Sequence, residues 1–177
     1  YAIDVWGADH HGHVARVKKA MAALGVSEDR LEVILMQLVH LVKGNEQVRM
    51  SKRKGNIYTL SDLVDEVGKD AARFIFNYNK PNTHMDFDLD LAIKKSSENP
   101  VFYVQYAHAR VCSIIRNINK EVKMENFDLL DKKEELNLLK IIANFSDEIL
   151  KASKDLDPSK ITKYAMDLAS AFHSFYN

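Results

Sequence analysis

Residues 48–56, VRMSKRKGN, combine side chains that suit phosphate binding, and we call this stretch the phosphate loop. Lysines such as Lys52 and Lys54 supply mobile positive charge with three N–H donors each. The Ser51 hydroxyl and the backbone amides near Gly55 can donate further hydrogen bonds to phosphate oxygens. The glycine spacing of a P-loop is missing. A solvated basic hairpin or a targeting patch would have the same composition, so both stay open at this point.

Residues 9–13, DHHGH, form a second polar group, which we call the histidine cluster. His10, His11 and His13 could aim at one metal ion only through an irregular turn, and no HExxH spacing is present. An Asp carboxylate, a His ring and a glycine backbone better suit the ribose or base of a nucleotide. The alternative is a structural turn whose polar groups cap the next helix. We predict no metal site here.

Aromatic and basic side chains alternate further along the chain, in a stretch that reads as a helix. They are Tyr103, Tyr106, His108, Arg110 and Arg116. Aromatic rings and guanidinium groups stack on unpaired bases and contact phosphates. Tyr and Phe at helical spacing are more commonly core residues, and the same holds for Phe172, Phe175 and Tyr176.

Three acidic residues, Asp86, Asp88 and Asp90, alternate with Phe87 and Leu89. Such alternating carboxylates suggest a calcium-binding loop, but the segment lacks the glycine and the closing glutamate of an EF-hand loop. We expect a solvated turn followed by a short helix.

The elements before residue 99 read as mixed α/β. Residues 1–7 predict a strand, and residues 14–24 predict a helix that stops at Gly25. The apolar run 31–42 predicts one strand that turns back into a second strand at 47–50. Because ligands in open α/β sheets lie at the carboxyl ends of strands, the histidine cluster falls where a ligand is expected.

The remainder of the chain reads as helical. Thr59 and Asp62 have capping-box spacing for a short helix that closes at Gly68, and Asp70 is the predicted cap of the next helix. Asn99-Pro100 has the cap-then-proline order of a helix start. Two more helices are predicted at 134–152 and 159–176. We predict a mixed but mainly α chain, in which residues 1–98 are mixed α/β and residues 99–177 form an all-α helical bundle.

Composition restricts the classes of protein that fit. Lys plus Arg equals Asp plus Glu at 25 each, so any polyanion site is a local patch. The single cysteine, Cys112, excludes an internal disulfide framework and fits a reducing compartment. No apolar run is long enough to predict a membrane span. The chain starts at Tyr1 inside an apolar run and stops inside a helical pattern, so we expect a fragment of a longer protein.

Three blocks, in order, resemble the arginyl-tRNA synthetase family. RMSKRKGN resembles the KMSKS signature of class I aminoacyl-tRNA synthetases, with Arg49 in place of the first Lys and Arg53 in place of the final Ser. WGADHHGHV is similar to the Gly-x-Asp-His turn of the arginyl enzymes. NPVFYVQYAHAR and AFHSFYN are similar to helices of their anticodon-binding domain. The resemblance covers nearly the whole chain. It implies that residues 1–98 are the end of a Rossmann-like nucleotide-binding catalytic domain, with the KMSKS-like loop, and that residues 99–177 are the start of the helical anticodon-binding domain.

The resemblance implies a site for ATP, whose Mg²⁺ rides on the triphosphate without a dedicated protein cage. Lys52 matches the signature lysine that stabilises the pentavalent phosphate, so it is the implied catalytic residue. The other implied ATP-binding residues are Gly7, Asp9, His10, His13, Met50, Ser51 and Arg53. The implied tRNA-binding residues are Tyr106, Arg110 and Arg116.

The resemblance also implies tRNA(Arg), ATP and L-arginine as partners, a cytoplasmic location and a monomeric parent enzyme. The HIGH signature and the arginine pocket would lie upstream of Tyr1, so we expect the fragment alone to be inactive. The alternative hypothesis is a non-catalytic RNA-binding helical module with a degenerate nucleotide-binding remnant. A cysteinyl or methionyl class I synthetase is the third hypothesis. Those enzymes carry zinc or insertion signatures of their own, and this chain has a single cysteine.

Overall fold

A computed structural model of the chain describes residues 1–44, 46–48, 58–118, 125 and 127–176. Within the part of the chain so described, no helix combines the length and the apolar content that a membrane span requires.

The first unit is a strand–helix–strand crossover. Strand β1 (Ala2–Gly7) leads through a single 3-10 turn into helix α1 (His11–Ala23), and strand β2 (Leu31–Met36) follows. The two strands pair in parallel, from Ala2 opposite Leu31 to Gly7 opposite Met36. Gly25 has a φ of +79°, which suits glycine, so its predicted role as the helix stop is confirmed. The helix begins at His11 and not at Val14, so His11 and His13 lie in its first turn and His10 precedes it.

A second, three-stranded sheet follows. Its strands are β3 (Val39–Lys43), β4 (Glu46–Gln47) and β5 (Met85–Asp88), in the order β4-β3-β5. The β3–β4 pair is antiparallel, whereas β3 and β5 run parallel.

Two sequence predictions for these strands are wrong. The single strand predicted at 31–42 is two strands in different sheets, interrupted where the Gln37 amide donates to the carbonyl of Pro81 at 2.8 Å. The turn predicted at Asp86–Asp90 is strand β5, because the fully buried Phe87 side chain gives the segment an apolar face. The Asp88 carboxylate then accepts from the Leu91 amide at 3.0 Å and caps the next helix.

The helices after β4 are α2 (Leu60–Val67), α3 (Lys69–Phe76), α4 (Leu89–Ile93), α5 (Pro100–Ile118), α6 (Lys133–Ala143), α7 (Phe145–Asp155) and α8 (Ser159–Tyr176). The predicted capping box of Thr59 and Asp62 is present. Asn99 is the predicted cap of α5, and its Oδ1 accepts from the Val101 amide at 3.0 Å. The fold class, mixed but mainly helical, is therefore confirmed.

Two further predictions for the helices are wrong. Gly68, and not Asp70, occupies the N-cap of α3, and Asp70 lies in the first turn. The helix predicted at 134–152 is split into α6 and α7 at Asn144. Asparagine favours helix ends because its amide competes for local hydrogen bonds. Here the Asn144 Nδ2 donates to Glu148 Oε1 at 3.0 Å across the start of α7.

Two apolar cores organise the chain. We call the first the sheet core: it lies between β3, β5 and helices α2 to α4, and it consists of Leu41, Leu63, Ala72, Met85, Phe87, Leu89 and Ala92. We call the second the bundle core: Ala107, Ala169 and Phe172 are buried there, with Tyr103, Val104, Ile114 and Leu138 packed against them. A buried hydroxyl lies between the two regions: Thr162 Oγ1 is 2.8 Å from the carbonyl oxygen of Asn77 and 2.9 Å from that of Ser159, and it can donate its proton to either.

Candidate nucleotide and RNA sites

The central residues of the phosphate loop, Met50, Ser51, Lys52 and Arg53, lie outside the described residues, as does Arg49. The residues on either side of the loop are described. Val48 precedes it and Tyr58 follows residues 49–57. The structure therefore shows where the chain enters the loop, at Val48, and where it continues after the loop, at Tyr58.

Both ends pack against the sheet core. Val48 and Tyr58 contact the cluster that contains Leu41 and Leu63. The Val48 amide also donates to the carbonyl of Leu41 at 2.8 Å, which extends the β3–β4 hairpin by one hydrogen bond. The two described residues that border the loop therefore pack on the same buried cluster.

A glutamate on α2 connects the end of β3 to the first described residue after the loop. Glu66 Oε1 accepts from Lys43 Nζ at 2.6 Å, and Glu66 Oε2 accepts from the Tyr58 hydroxyl at 2.6 Å. These bonds, from Lys43 first and Tyr58 second, lower the pKa of Glu66. Burial and the bond to Glu66 raise the pKa of Tyr58 to about 12. Near neutral pH, Glu66 is therefore charged and Tyr58 keeps its proton.

The histidine cluster lies at the carboxyl end of β1, beside the end of β2. His10 Nε2 is 3.7 Å from Asp9 Oδ2, and the two side chains are 59% and 81% exposed. The rings of His10 and His13 are 5.8 Å apart, tilted by 53°. A Cβ at Gly7 would lie 2.6 Å from Asp9 Oδ1, so any side chain there would have to displace the carboxylate. The structure thus brings together Gly7, Asp9, His10 and His13 in an open, solvent-facing arrangement.

The histidine cluster spans a turn and the start of a helix. Residues 8–10 form the 3-10 turn, and His13 lies in the first turn of α1. The N-cap residue of α1, His10, makes no side-chain capping hydrogen bond. Among the described residues, no group of three or more His, Cys, Asp or Glu side chains is arranged to hold a metal ion. What the cluster offers is a carboxylate and two imidazole rings near a strand end, which can hydrogen-bond a ligand.

Tyr106 and Arg110 lie together on the outer side of the α5–α8 contact. The Arg110 guanidinium carbon is 4.0 Å from the centroid of the Tyr176 ring and 5.5 Å from that of Tyr106. Both distances fall within the ~6 Å range of cation–π attraction. Tyr106 is 47% exposed and Tyr176 is 48% exposed. We call these three residues the aromatic–arginine face.

Two neighbouring rings fix the orientation of Tyr106. Phe102 stacks on it at 6.0 Å with the planes 8° apart, and His173 stacks at 5.7 Å with the planes 25° apart. Phe102 is one helical turn before Tyr106, whereas His173 comes from α8. The stacking surface is therefore built before any ligand arrives.

Arg116 does not join this face. It lies six residues after Arg110 on α5, and at about 3.6 residues per turn it projects from another side of the helix. Its side chain is exposed near the end of α5. The structure thus brings together two of the three predicted RNA-binding residues.

Two residues of these sites were missed by the sequence analysis. Tyr176 was assigned to the core, yet it is half exposed and covers Arg110. The spacing of Phe172 and Tyr176, four residues apart on one helix, could have indicated a second aromatic stripe facing α5. Nothing in the sequence indicated the contacts of Glu66, because an acidic residue on an amphipathic helix is ordinarily solvated.

Comparisons with known proteins agree with the resemblance. The family model described as the DALR anticodon binding domain matches residues 104–177. The chain is 57% identical, over 100% of its length, to 33% of an arginine–tRNA ligase from Caldanaerobacter subterraneus subsp. tengcongensis. It is 52% identical, again over its whole length, to 32% of an arginine–tRNA ligase from Ruminiclostridium cellulolyticum. The chain spans about one third of the length of the curated relatives it matches.

Solved structures give the same result. A crystal structure described as an arginyl-tRNA synthetase from Campylobacter jejuni matches 99% of this chain with 39% of its own, at 40% identity and a TM-score of 0.90. The arginyl-tRNA synthetase of Thermus thermophilus shares the fold, with a TM-score of 0.77 at 22% identity over 99% of this chain and 32% of that one. The predicted resemblance to arginyl-tRNA synthetases is confirmed.

Proposed function

We propose that this chain, which aligns along its whole length with about one third of the arginine–tRNA ligases, supplies two parts of such an enzyme. The first part is the phosphate loop with the histidine cluster, which binds ATP. The second is the aromatic–arginine face, which binds unpaired bases of tRNA(Arg). The end-to-end similarity to arginine–tRNA ligases is the observation that carries the proposal.

The reaction has two steps. A carboxylate oxygen of L-arginine attacks the α-phosphorus of ATP, which forms arginyl-adenylate and releases pyrophosphate. A ribose hydroxyl of the terminal adenosine of tRNA(Arg) then attacks the arginyl carbonyl and releases AMP. Catalysis consists of positioning and charge stabilisation, with no covalent enzyme intermediate.

In the first step, Lys52 stabilises the negative charge that develops on the transferring phosphate. Ser51 and Arg53 hold the triphosphate, and Met50 completes the signature at this position. Mg²⁺ arrives bound to the triphosphate, and we assign it no protein ligands. Removing one donor aimed at developing charge costs about 2.7–4 kcal/mol, or roughly a hundred- to a thousandfold in rate.

The histidine cluster receives the adenosine part of ATP. Asp9 and His10 are exposed at the carboxyl end of β1, which is where ligands bind in parallel sheets. The missing Cβ of Gly7 leaves room for the Asp9 carboxylate beside the strand. His13 lies near enough to His10 to present a second ring to the same ligand.

The helices bind the tRNA. Tyr106 and Tyr176 are half exposed and Arg110 adds positive charge between them, so unpaired bases can contact both rings and the guanidinium there. Arg116, on another side of α5, contacts the phosphate backbone. The match of residues 104–177 to an anticodon binding domain supports this part of the proposal.

The test is aminoacylation by the full-length protein that carries this chain, with total tRNA and each amino acid in turn. We expect charging with arginine alone, and we expect Lys52→Ala to slow arginyl-adenylate formation roughly a hundred- to a thousandfold while arginine binding changes little. Lys54→Ala, which removes a cation from the same loop, is the matched control and should stay within a few-fold of the wild type. Charging with a different amino acid, or an equal loss in both variants, would contradict the proposal.

The alternative is an RNA-binding module without catalysis. It would bind tRNA through the aromatic–arginine face and charge it with no amino acid. Two further measurements on the same protein separate the functions: tRNA binding, and arginine-dependent ATP–pyrophosphate exchange with tRNA present. Binding of tRNA without exchange is the result that only the module predicts.

A further inference from the structure

A groove at the junction of α3, α4 and α5 carries an excess of lysines, and we call it the lysine groove. It has a volume of about 520 Å³ and lies between the turn that joins α2 to α3, the segment that follows α4 and the first two turns of α5. Its charged lining residues are Lys69, Asp70, Lys94 and Lys95. Since three of the four are lysines, the groove is locally positive in a chain whose acidic and basic residues are equal at 25 each.

Two of these lysines are not neutralised by a neighbouring carboxylate. Lys94 forms an ion pair with Glu98, one helical turn later in the sequence. Within the described part of the chain, neither Lys69 nor Lys95 takes part in an ion pair, and both are exposed. Lysines in this state create a local positive field that attracts a polyanion.

The wall of the groove that carries two of the lysines is held in place by a buried amide. Asn99 is only 4% exposed, and its Nδ2 donates to the carbonyl of Ala92 at 3.0 Å and to that of Lys94 at 2.9 Å. The backbone that presents Lys94 and Lys95 is therefore tied to the start of α5. On α5 itself, the exposed Gln105 side chain adds an amide with two N–H donors to the lining.

The lysine groove adjoins the aromatic–arginine face along α5. Phe102 lines the groove, and its ring lies 6.0 Å from that of Tyr106 with the planes 8° apart. Gln105, also in the lining, immediately precedes Tyr106. At 1.5 Å per residue, Phe102 and Arg110 are about 12 Å apart along the same helix. A nucleic acid whose bases contact Tyr106 and Arg110 can thus reach the groove by following α5.

We infer that the lysine groove binds backbone phosphates of the tRNA whose unpaired bases contact the aromatic–arginine face, with Lys69 and Lys95 supplying the charge. This inference rests on the proposed tRNA-binding function. Phosphate contacts add affinity and fix how a nucleic acid lies on a protein, but they do not read its sequence. The groove would extend the RNA-binding surface from α5 and α8 to α3, where Lys69 is the first residue.

The experiment measures the affinity of the full-length protein for a tRNA(Arg) transcript between about 50 and 200 mM salt. It compares the wild type with the double variant Lys69→Ala/Lys95→Ala. Each phosphate contact contributes about 0.7–0.9 to the slope of log affinity against log salt concentration. We expect the slope of the double variant to be shallower by about 1.5, so that its affinity falls roughly eightfold less than that of the wild type over this range.

Two further variants serve as controls. Lys133→Ala/Lys140→Ala removes the same charge from exposed positions on α6, outside the groove lining, and should keep the wild-type slope. Asp70→Asn tests the opposite direction, because it removes the carboxylate among the charged lining residues. It should tighten tRNA binding by up to about fivefold at the lower salt concentration, a gain that misfolding cannot produce.

The outcomes separate this inference from the proposed function. A wild type that binds and charges tRNA(Arg), with the wild-type slope retained in Lys69→Ala/Lys95→Ala, would overturn the inference and leave the proposed function standing. An equal change of slope in the α6 control would also overturn it, because net charge would then explain the effect. A wild type that binds no tRNA would reject both.

A shallower slope in the groove variant alone would support the inference, whether or not the protein charges tRNA. If the double variant does not fold, Asp70→Asn decides: tighter binding at low salt supports the groove, and unchanged or weaker binding overturns it.

Discussion

The sheet core and the bundle core bury their apolar residues to different depths. In the sheet core, the buried members are between 0% and 6% exposed, and the large side chains of Phe87, Leu89 and Leu63 are at 2% or less. In the bundle core, the buried members Ala107, Ala169 and Phe172 are between 4% and 9% exposed, and two of them are alanines. Small residues let α5 and α8 approach closely, but they bury little surface themselves.

The two regions place their candidate site residues accordingly. Beside the deep sheet core, Val48 and Tyr58 at the two ends of the phosphate loop pack on buried side chains. Glu66 also accepts hydrogen bonds from Tyr58 and from Lys43 of β3. Beside the shallower bundle core, large rings such as Tyr106 and Tyr176 stay half exposed and hold one another in place. The difference teaches that a buried apolar cluster can hold the two ends of a loop, whereas an exposed aromatic surface must be built from the site residues themselves.

The largest expected effect comes from the centre of the sheet core. Phe87→Ala should lower the free energy of unfolding by about 3–5 kcal/mol, because it deletes a fully buried ring that also packs on Phe76. Phe172→Ala in the bundle core should cost less, since its site is closer to solvent. Chemical denaturation of the purified protein measures both.

Ile93→Ala is the control for these variants, because Ile93 is 51% exposed and its truncation should change stability by less than about 0.5 kcal/mol. If Phe172→Ala lowers the free energy of unfolding as much as Phe87→Ala does, the different burial of the two cores does not translate into a difference in stability.

The next largest effect concerns RNA binding by the aromatic–arginine face. Tyr106→Ala should weaken tRNA binding by about 1–3 kcal/mol, roughly five- to 150-fold in Kd, through the loss of one stacking surface. Phe145→Ala is the control, since Phe145 is 46% exposed, close to the 47% of Tyr106, but lies on α7. Filter binding or fluorescence titration at fixed salt measures both affinities.

Salt provides a second check on the same face. Phosphate contacts make affinity fall as salt rises, whereas stacking does so far less. Arg116→Ala should therefore reduce the salt slope more than Tyr106→Ala does. A flat salt dependence of the wild type would indicate that the helices do not contact the tRNA backbone.

Local patterns in the sequence were sufficient to predict many elements. The capping box at Thr59, the Asn99-Pro100 start of α5 and the Ser159–Tyr176 helix all follow from short-range rules, and the structure contains each of them. The split of residues 31–42 into two strands did not follow, because the bond from Gln37 to Pro81 is a contact between distant residues. A continuous apolar run carries no mark of the sheet to which each half belongs.

The residues of the candidate sites divide in the same way, into those that local sequence patterns indicate and those that depend on contacts between distant residues. The motif residues Asp9, His10, Tyr106 and Arg110 could be chosen from the sequence, because their types and spacing resemble a known pattern. Tyr176 and Glu66 could not, since their roles depend on contacts with partners far along the chain. Long-range packing decides whether an ordinary surface residue belongs to a site.

The connection between the two regions should show a smaller effect. Thr162→Val removes the hydroxyl that lies 2.8 Å from the Asn77 carbonyl oxygen, and it should lower stability by about 1 kcal/mol, because it leaves a partly buried carbonyl without that partner. Thr83→Val at an exposed position is the control. Thermal or chemical denaturation of the purified protein measures both variants. An unchanged unfolding midpoint in Thr162→Val would show that apolar packing alone joins the regions.

The smallest effects are pH-dependent, and they ask whether the two regions unfold together. Hydrogen bonds from Lys43 and Lys151, respectively, lower the pKa values of Glu66 and Glu148 from the ordinary 4.5. A lowered carboxyl pKa contributes stability that is fully present above the unfolded-state value and is lost as the pH falls through the folded-state value. Urea midpoints measured from pH 7 to pH 3 should therefore show the wild type losing its advantage over Glu66→Gln and Glu148→Gln only below about pH 4.5.

The shape of the transitions then distinguishes two cases. If the regions unfold as one cooperative unit, both variants shift the same single transition. If they unfold separately, Glu66→Gln shifts only the transition of the sheet region and Glu148→Gln only that of the helices, which amide hydrogen exchange at increasing urea would resolve region by region. An advantage that persists unchanged at pH 3 would mean that these glutamates stabilise the chain through packing and not through charge.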